Sequence, residues 1–313
     1  MLNLFVIGMP RSGTKLFREL LNNHPSIFIP NVETGFIPKL IRRFGAGRLA
    51  ADDSSAAAEI ISSSLFFEHY LLERDFDFSV LDGHGSLDEL LGAFYTELLR
   101  EPTDNLIYIG DKSPSNITDV DLLVEAFPSA KFIHIVRDPR DYAISVKKAW
   151  NKTVIRAVAR WVDAVSLASK FSDKNPDLMI EIRYEDLLEN PKSVLSMCMD
   201  FLGLEYRDSL LRLERVVENY GDAKEKNISS ENKGKYLKCM RPALIKEIDD
   251  YAVENMRRYG YSCGSARLTN KPISRYKIHF YTFVDMLNIL VFNIRKWGLV
   301  RGLIVSRKAR MSK

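Results

Sequence analysis

The residues best suited to chemistry form one short run, Gly8-Met9-Pro10-Arg11-Ser12-Gly13-Thr14-Lys15. Two glycines allow a tight turn, Ser12 and Thr14 offer hydroxyls, and Arg11 and Lys15 add positive charge. The apolar run Leu4-Phe5-Val6-Ile7 before it reads as a buried strand, and Leu16-Phe17-Arg18-Glu19-Leu20-Leu21 after it has helical spacing. A strand, a glycine turn and a helix N-terminus make an anion cradle, because backbone N–H groups converge where the helix dipole favours negative charge. The expected ligand is a phosphate or sulfate; the plain alternative is a structural turn. The run is not a standard nucleoside-triphosphate loop, which needs a Ser or Thr directly after its lysine to hold magnesium. Leu16 stands at that place.

A second anion site is suggested by Arg137 and Ser145. Arg137 ends an apolar run and Ser145 falls two turns into the next helical stretch, so a guanidinium and a hydroxyl can address one anion. The alternative is a surface ion pair of Arg137 with Asp138 or Asp141, leaving Ser145 an ordinary helix residue.

The elements that must position these groups alternate. Strands are expected near 3–7, 106–109, 131–136 and 178–182, with an extended segment at 26–30. Helices are expected at 119–127, stopped by Pro128, and from Pro139 to Trp150. Residues 36–105 read as mostly helical, for example Leu87 to Leu99, with an interruption in the Ser/Ala-rich stretch 52–64. Such alternation argues a parallel sheet wrapped on both faces, with ligands beyond the carboxyl ends of the strands.

Composition excludes the unusual classes. The chain has 313 residues, 46% hydrophobic and 27% charged, enough for one large α/β domain. Cys198, Cys239 and Cys263 are too scattered for a disulfide framework or a zinc site and read as reduced thiols. A strand starting by about Asn3 is expected to leave no room for a leader or N-terminal anchor, which points to a cytoplasmic, bacterial-type protein. Charge is uneven. Residues 267–313 hold eleven Lys/Arg against one acid, Asp285, a balance of +10, while the remaining 34 basic and 40 acidic residues give −6.

The loop resembles the 5′-phosphosulfate loop of sulfotransferases, closest to the branch with tyrosylprotein, carbohydrate and bacterial members. Further segments fit that branch in order: His24-Pro25 with Glu33-Thr34, then Asp111-Lys112-Ser113-Pro114, then Val136-Arg137-Asp138-Pro139-Arg140 with Ser145, and Arg183-Tyr184-Glu185-Asp186-Leu187. The resemblance covers roughly residues 3–205. It implies a P-loop-type three-layer α/β fold, with a central parallel sheet and a helical insertion between the first two strands. It also implies transfer of a sulfonate from 3′-phosphoadenosine 5′-phosphosulfate (PAPS) to an acceptor, in a scheme that needs no metal.

The roles of single residues follow from that resemblance. Glu33 matches the catalytic base, which takes the acceptor's proton; otherwise it is a carboxylate near the start of a helix over 33–44. Lys112 matches a catalytic lysine that meets charge building on the leaving phosphate, with Arg11 sharing the task; otherwise it is a surface lysine in a turn. Arg11, Ser12, Gly13, Thr14 and Lys15 would hold the 5′-phosphosulfate, and Arg137 and Ser145 the 3′-phosphate. Lys15 departs from the family's usual threonine. Tyr184 would lie against the nucleotide, and Gly234-Lys235-Tyr236 resembles an element that closes over it. His134, inside an apolar strand, reads as a core residue, and His24 as a helix-ending hydrogen bonder.

The acceptor carries no readable motif; a saccharide hydroxyl is the expectation, with a tyrosine or lipid headgroup open. The competing readings are a P-loop kinase or nucleotide hydrolase and a non-catalytic nucleotide or polyanion binder. Two domains are expected, a sulfotransferase domain over 1–266 and a basic amphipathic tail over 267–313. In the tail, His279, Thr282, Asp285 and Asn288 give one helical face polar character. The tail either lies on an anionic membrane, making the enzyme peripheral at the inner face, or packs on the domain with a solvated basic end.

Overall fold

A computed structural model describes residues 2–31, 33–47, 49, 53–64, 76–99, 105–213, 228, 232–264, 272–303 and 306. The described residues fall into two compact units, those within 1–136, 167–217 and 225–228, and those within 137–166, 218–224 and 229–313.

The first unit is built on five parallel strands in the order β2-β3-β1-β4-β5. They are β1 (Leu2–Gly8), β2 (Ile27–Phe28), β3 (Tyr108–Asp111), β4 (Lys131–Val136) and β5 (Met179–Arg183). The helices, in chain order, are α1 (Thr14–Leu21), α2 (Ile37–Phe44), α3 (Asp53–Ser62), α4 (Leu87–Leu99), α5 (Val120–Ala126), α6 (Pro139–Trp150), α7 (Val154–Lys174), α8 (Tyr184–Glu189) and α9 (Pro191–Leu202). α6 and the first part of α7 belong to the second unit.

β1 is buried along almost its whole length, as a central parallel strand must be. Its side chains alternate between two cores. Leu4 and Val6 join Ile133, Ile135 and Ile182 under α1, α8 and α9, with Phe17, Leu187, Leu195 and Cys198 from the helices. On the opposite face Phe5 stacks on Phe132 at 5.2 Å, and Phe132 meets Phe171 of α7 edge-on at 5.6 Å. These rings lie at the spacing where aromatic pairs add to simple burial.

Three expectations shift. The strand expected at 106–109 lies at Tyr108–Asp111, because Ile107 is exposed and β3 takes its register from β1 through Leu4↔Gly110 and Phe5↔Asp111. The extended segment at 26–30 contributes only Ile27 and Phe28, paired with β3. The helical segment therefore enters after that short edge strand, flanked by the longer strands β1 and β3. The Ser/Ala-rich stretch does not interrupt it. Residues Asp53–Ser62 are helix α3, where Ala56, Ala57 and Ala58 have high helix propensity and Asp53 sits in the first turn.

The second unit holds α6, α10 (Pro242–Arg258) and α11 (Arg275–Trp297). Its centre is polar. Arg140 makes paired bonds to Asp138 at 2.9 and 2.6 Å, reaches Asp249 at 3.0 Å, and lies 4.0 Å over the Tyr236 ring. All three charged residues are buried, so the carboxylates offset the desolvation of the guanidinium. α11 docks by polar contacts too. Asp285 accepts from the Thr153 N–H at 2.6 Å and from Arg156 at 3.0 Å, and Arg156 also donates to Thr282 at 3.0 Å. Lys277 pairs with Glu247. Beyond Gly298, residues 299–303 are helical and fold back: a side chain at Gly302 would lie 2.6 Å from the Ile294 Cα, and Asn293 donates to Ser306 at 2.9 Å.

Candidate functional site

The loop between β1 and α1 is a tight turn. Gly8 has φ 154° and Gly13 φ 92°, and Arg11 is held at φ 79°, where a residue with a Cβ is strained. The Ser12 N–H donates to the Met9 carbonyl at 3.1 Å. Gly13 is obligatory on two counts: its backbone is left-handed, and a Cβ there would stand 2.2 Å from the Tyr184 ring. Tyr184 opens α8 directly after β5, so the ring is delivered to the loop by the neighbouring strand end. α1 has no side-chain cap on its first turn, and the Ser12 hydroxyl is fully buried without a hydrogen-bond partner among the described residues. A buried, unspent donor beside an uncapped helix N-terminus is what an anion cradle requires.

β1 and β3 are neighbours and parallel, so the segment after Asp111 leaves from the same edge of the sheet as the loop. Lys112, far from being a surface lysine, is buried; its ammonium donates to Glu33 at 2.8 Å, and the Glu33 carboxylate is half exposed. Burial drives the Lys112 pKa below the ordinary lysine value. Glu33 opposes that shift, while the Arg18 and Lys15 charges deepen it. Glu33 lies outside any helix, since α2 begins only at Ile37.

Two sets of bonds fix the Glu33 segment. Thr34 donates to buried Asp111 at 2.7 Å, and Asp111 also accepts from Asn116 at 3.0 Å. The Gly35 N–H donates to Ser113 at 3.2 Å. Burial raises the Asp111 pKa, and the Thr34 and Ser113 bonds counter it. From the other side, Arg18 of α1 donates to the carbonyl and side-chain oxygens of Asn31, both at 2.6 Å, and Asn22 brackets Ile29. The helix that caps the anion loop thus also holds the segment carrying Glu33. Sequence reasoning missed Asp111, Thr34 and Arg18 as positioning residues.

In the second unit, Arg137 follows β4 directly. It is buried and donates to Asn232, at 2.9 Å to the carbonyl and 3.3 Å to the side chain, and Trp161 donates to the Arg137 carbonyl at 3.0 Å. Arg137 is therefore not a surface residue; Asp138 pairs with Arg140, and the Arg137 charge acts on Asp141, where it opposes the upward shift that burial gives that carboxyl. Ser145 lies half-buried on α6. Asp141 of the same helix accepts from the N–H groups of Gly234 at 2.5 Å and Tyr236 at 2.9 Å. That clamp fixes the turn bearing half-buried Lys235, which runs into the short helix Tyr236–Cys239.

His134 and His24 are structural. His134 of β4 is fully buried and meets Glu181 of β5 at 2.9 Å, in register. His24 accepts from the Ser26 N–H at Nδ1 and reaches the Glu205 carbonyl through Nε2 at 3.1 Å, so it is the neutral Nε2–H form. Its burial lowers its pKa.

Comparison with known proteins bears on this edge of the sheet. A model of the sulfotransferase family matches residues 3–208. Protein-tyrosine sulfotransferase 1 of Danio rerio is 25% identical over 234 residues, covering 70% of this chain and 58% of its own length. Protein-tyrosine sulfotransferase 2 of Gallus gallus is 23% identical over 235 residues, covering 70% and 55%. The chain spans about half the length of these curated relatives. Among solved structures, the sulfotransferase domain of the Synechococcus olefin synthase superposes with TM-score 0.58 at 20% identity, over 84% of this chain and 95% of that one. The sulfotransferase domain of the curacin biosynthetic pathway gives 0.57 at 20%, over 83% and 98%. At that identity the likeness establishes the fold.

Proposed function

Because the chain belongs to the sulfotransferase family, we propose that it moves a sulfonate from PAPS to an acceptor hydroxyl, with Glu33 as general base. The observation that carries this reading is the Lys112–Glu33 pair, one buried cation and one half-exposed carboxylate, beside an anion loop on the adjacent strand.

The residues present fit the donor. The unspent Ser12 hydroxyl, the uncapped α1 N-terminus and the close Gly13 turn suit its phosphosulfate end, with Thr14 and Lys15 adding a hydroxyl and a charge. Arg137 and Ser145 are assigned the 3′-phosphate, and Tyr184 and Lys235 the nucleotide. When bound, the donor supplies the sulfonate and departs as a nucleotide with more negative charge on its phosphate. Lys112 and Arg11 stabilise that charge; burial keeps water from screening Lys112. Glu33 is open enough to meet an acceptor and takes its proton. The bonds to Thr34, Asp111 and Arg18 keep it in position before an acceptor arrives, so little reorganisation is left for the reaction itself. A kinase or triphosphate hydrolase fits less well, since Leu16 leaves no hydroxyl for the metal those reactions use.

The acceptor proposed is a saccharide hydroxyl, which is less acidic than a phenol and gains most from a base. The test is Glu33→Gln in the full chain. Affinity for 3′,5′-ADP, the product nucleotide, should stay within about twofold, and turnover should fall by on the order of 10²–10⁴. Normal turnover removes Glu33 from the base role. Absent binding of 3′,5′-ADP by the parent protein removes the donor assignment. Parallel assays with an oligosaccharide and a tyrosyl peptide decide the acceptor, the peptide being the class named in the relatives above.

A further inference from the structure

The C-terminal helix is inside out. Its buried side chains are Asp285 and Asn293, while Tyr276, Phe280, Phe283, Leu287 and Val291 are exposed. At 3.6 residues per turn those five fall within an arc of about 80°, with Asp285 on the opposite side. The stripe runs about 22 Å along the helix at 1.5 Å per residue. Trp297 at the helix end and Leu299, Val300 and Leu303 beyond it are exposed as well. A packed helix and an amphipathic surface helix are therefore not alternatives here. The polar face docks on the protein through Arg156, Thr153 and Glu247, and the apolar face is left outward.

We propose that this face seats the protein on an anionic lipid bilayer. Charge selects that occupant. Residues 267–313 carry a balance of +10, and Arg295, Lys296 and Arg301 stand exposed at the end of the stripe. A second copy docked face to face and parallel would bring two such ends together. Trp297 is flanked by Lys296 and Arg301, each 4.9 Å from its ring. A ring between cations is suited to the headgroup level, where tryptophan is at home and long basic side chains reach phosphates. No described helix is long and apolar enough to cross a membrane, so attachment is along the surface.

The inference goes beyond the transfer reaction and is measured without donor or acceptor. Full-length protein is sedimented with vesicles of phosphatidylcholine alone or mixed equally with phosphatidylglycerol. Association with the anionic vesicles should exceed that with neutral ones at least roughly tenfold at low salt and weaken as salt rises. Replacing Phe280 and Phe283 by Ser and Leu287 by Gln together should reduce binding roughly tenfold or more, with melting temperature and 3′,5′-ADP affinity kept, since these residues are exposed. Replacing Arg295, Lys296 and Arg301 by Gln should flatten the salt dependence. Protein that stays in the supernatant with anionic vesicles at low salt overturns the proposal. So does a stripe variant that binds like the parent, or a solution dimer that the stripe substitutions convert to monomer. Loss of 3′,5′-ADP binding with vesicle binding retained would count against the transferase reading alone.

Discussion

The edge of the sheet beside β1 and β3 and the helix α11 both bury charged side chains, and they use them in opposite ways. At the sheet edge the apolar cores of Leu4, Val6, Phe5 and Phe132 provide the cohesion. Buried Lys112, Asp111 and Arg18 are left to aim other groups. In α11 the buried side chains are Asp285 and Asn293, five apolar side chains form an exposed stripe, and others such as Ile289 and Ile294 are half-buried. A buried ion pair specifies a geometry better than it stabilises one, because desolvation offsets much of its attraction. The sheet edge therefore rests on a fully buried apolar core, whereas α11 has no fully buried apolar side chain and is placed by a few polar bonds over half-buried ones.

That contrast can be broken most directly at Asp285. Asp285→Asn leaves Arg156 uncompensated and should cost about 2–3 kcal/mol, somewhat less than a fully buried pair because Arg156 keeps some contact with water. The double replacement Arg156→Met with Asp285→Leu should recover most of that loss in a denaturant titration. Failure to recover would mean that the pair stabilises α11 and does more than orient it.

Arg137→Ala sharpens the comparison from the binding side. It should weaken 3′,5′-ADP by about 1.5–3 kcal/mol and 5′-AMP far less. Equal losses in a calorimetric titration would sink the 3′-phosphate assignment. Gly13→Ala probes the rigidity of the loop, because the new methyl meets the Tyr184 ring on a left-handed backbone. It should cost about 1–3 kcal/mol, and adding Tyr184→Ala should relieve the steric part but not the backbone part.

The smallest expected effect is the acid dependence at His24. Its folded pKa lies below the ordinary 6.5, so the unfolded chain binds the proton more readily. The stability it contributes is present above about 6.5 and falls away as pH drops through the window down to the folded value. Melting temperature measured between about pH 5 and 8 should therefore slope less steeply in His24→Asn than in the parent.

Much of the sheet side was legible because its signals are local. The strand 131–136 and the helix 139–150 appear as expected, since an apolar run and a proline at a helix start are read from neighbours in sequence. The bond from Thr34 to Asp111 joins residues 77 apart, and nothing in either local pattern announces it. The same holds for Tyr184 against Gly13: the motif suggested a nucleotide neighbour, but the contact arises because parallel strands bring distant loops to one edge. In the tail, the period of polar residues gave two faces without saying which one the protein would cover. Hydropathy usually decides that in favour of the apolar face; here Arg156 decided it the other way.

The Asp141 clamp on the 234–236 turn offers a practical handle. The turn runs directly into Cys239, which is exposed, whereas Cys198 is buried in the core with its thiol pushed up to about 12, and burial also raises Cys263. Thiolate, not thiol, reacts with maleimide, so brief labelling near neutral pH should mark Cys239 first. A fluorophore there would sit one helical turn from Lys235, and its emission would report whether that turn closes when nucleotide arrives.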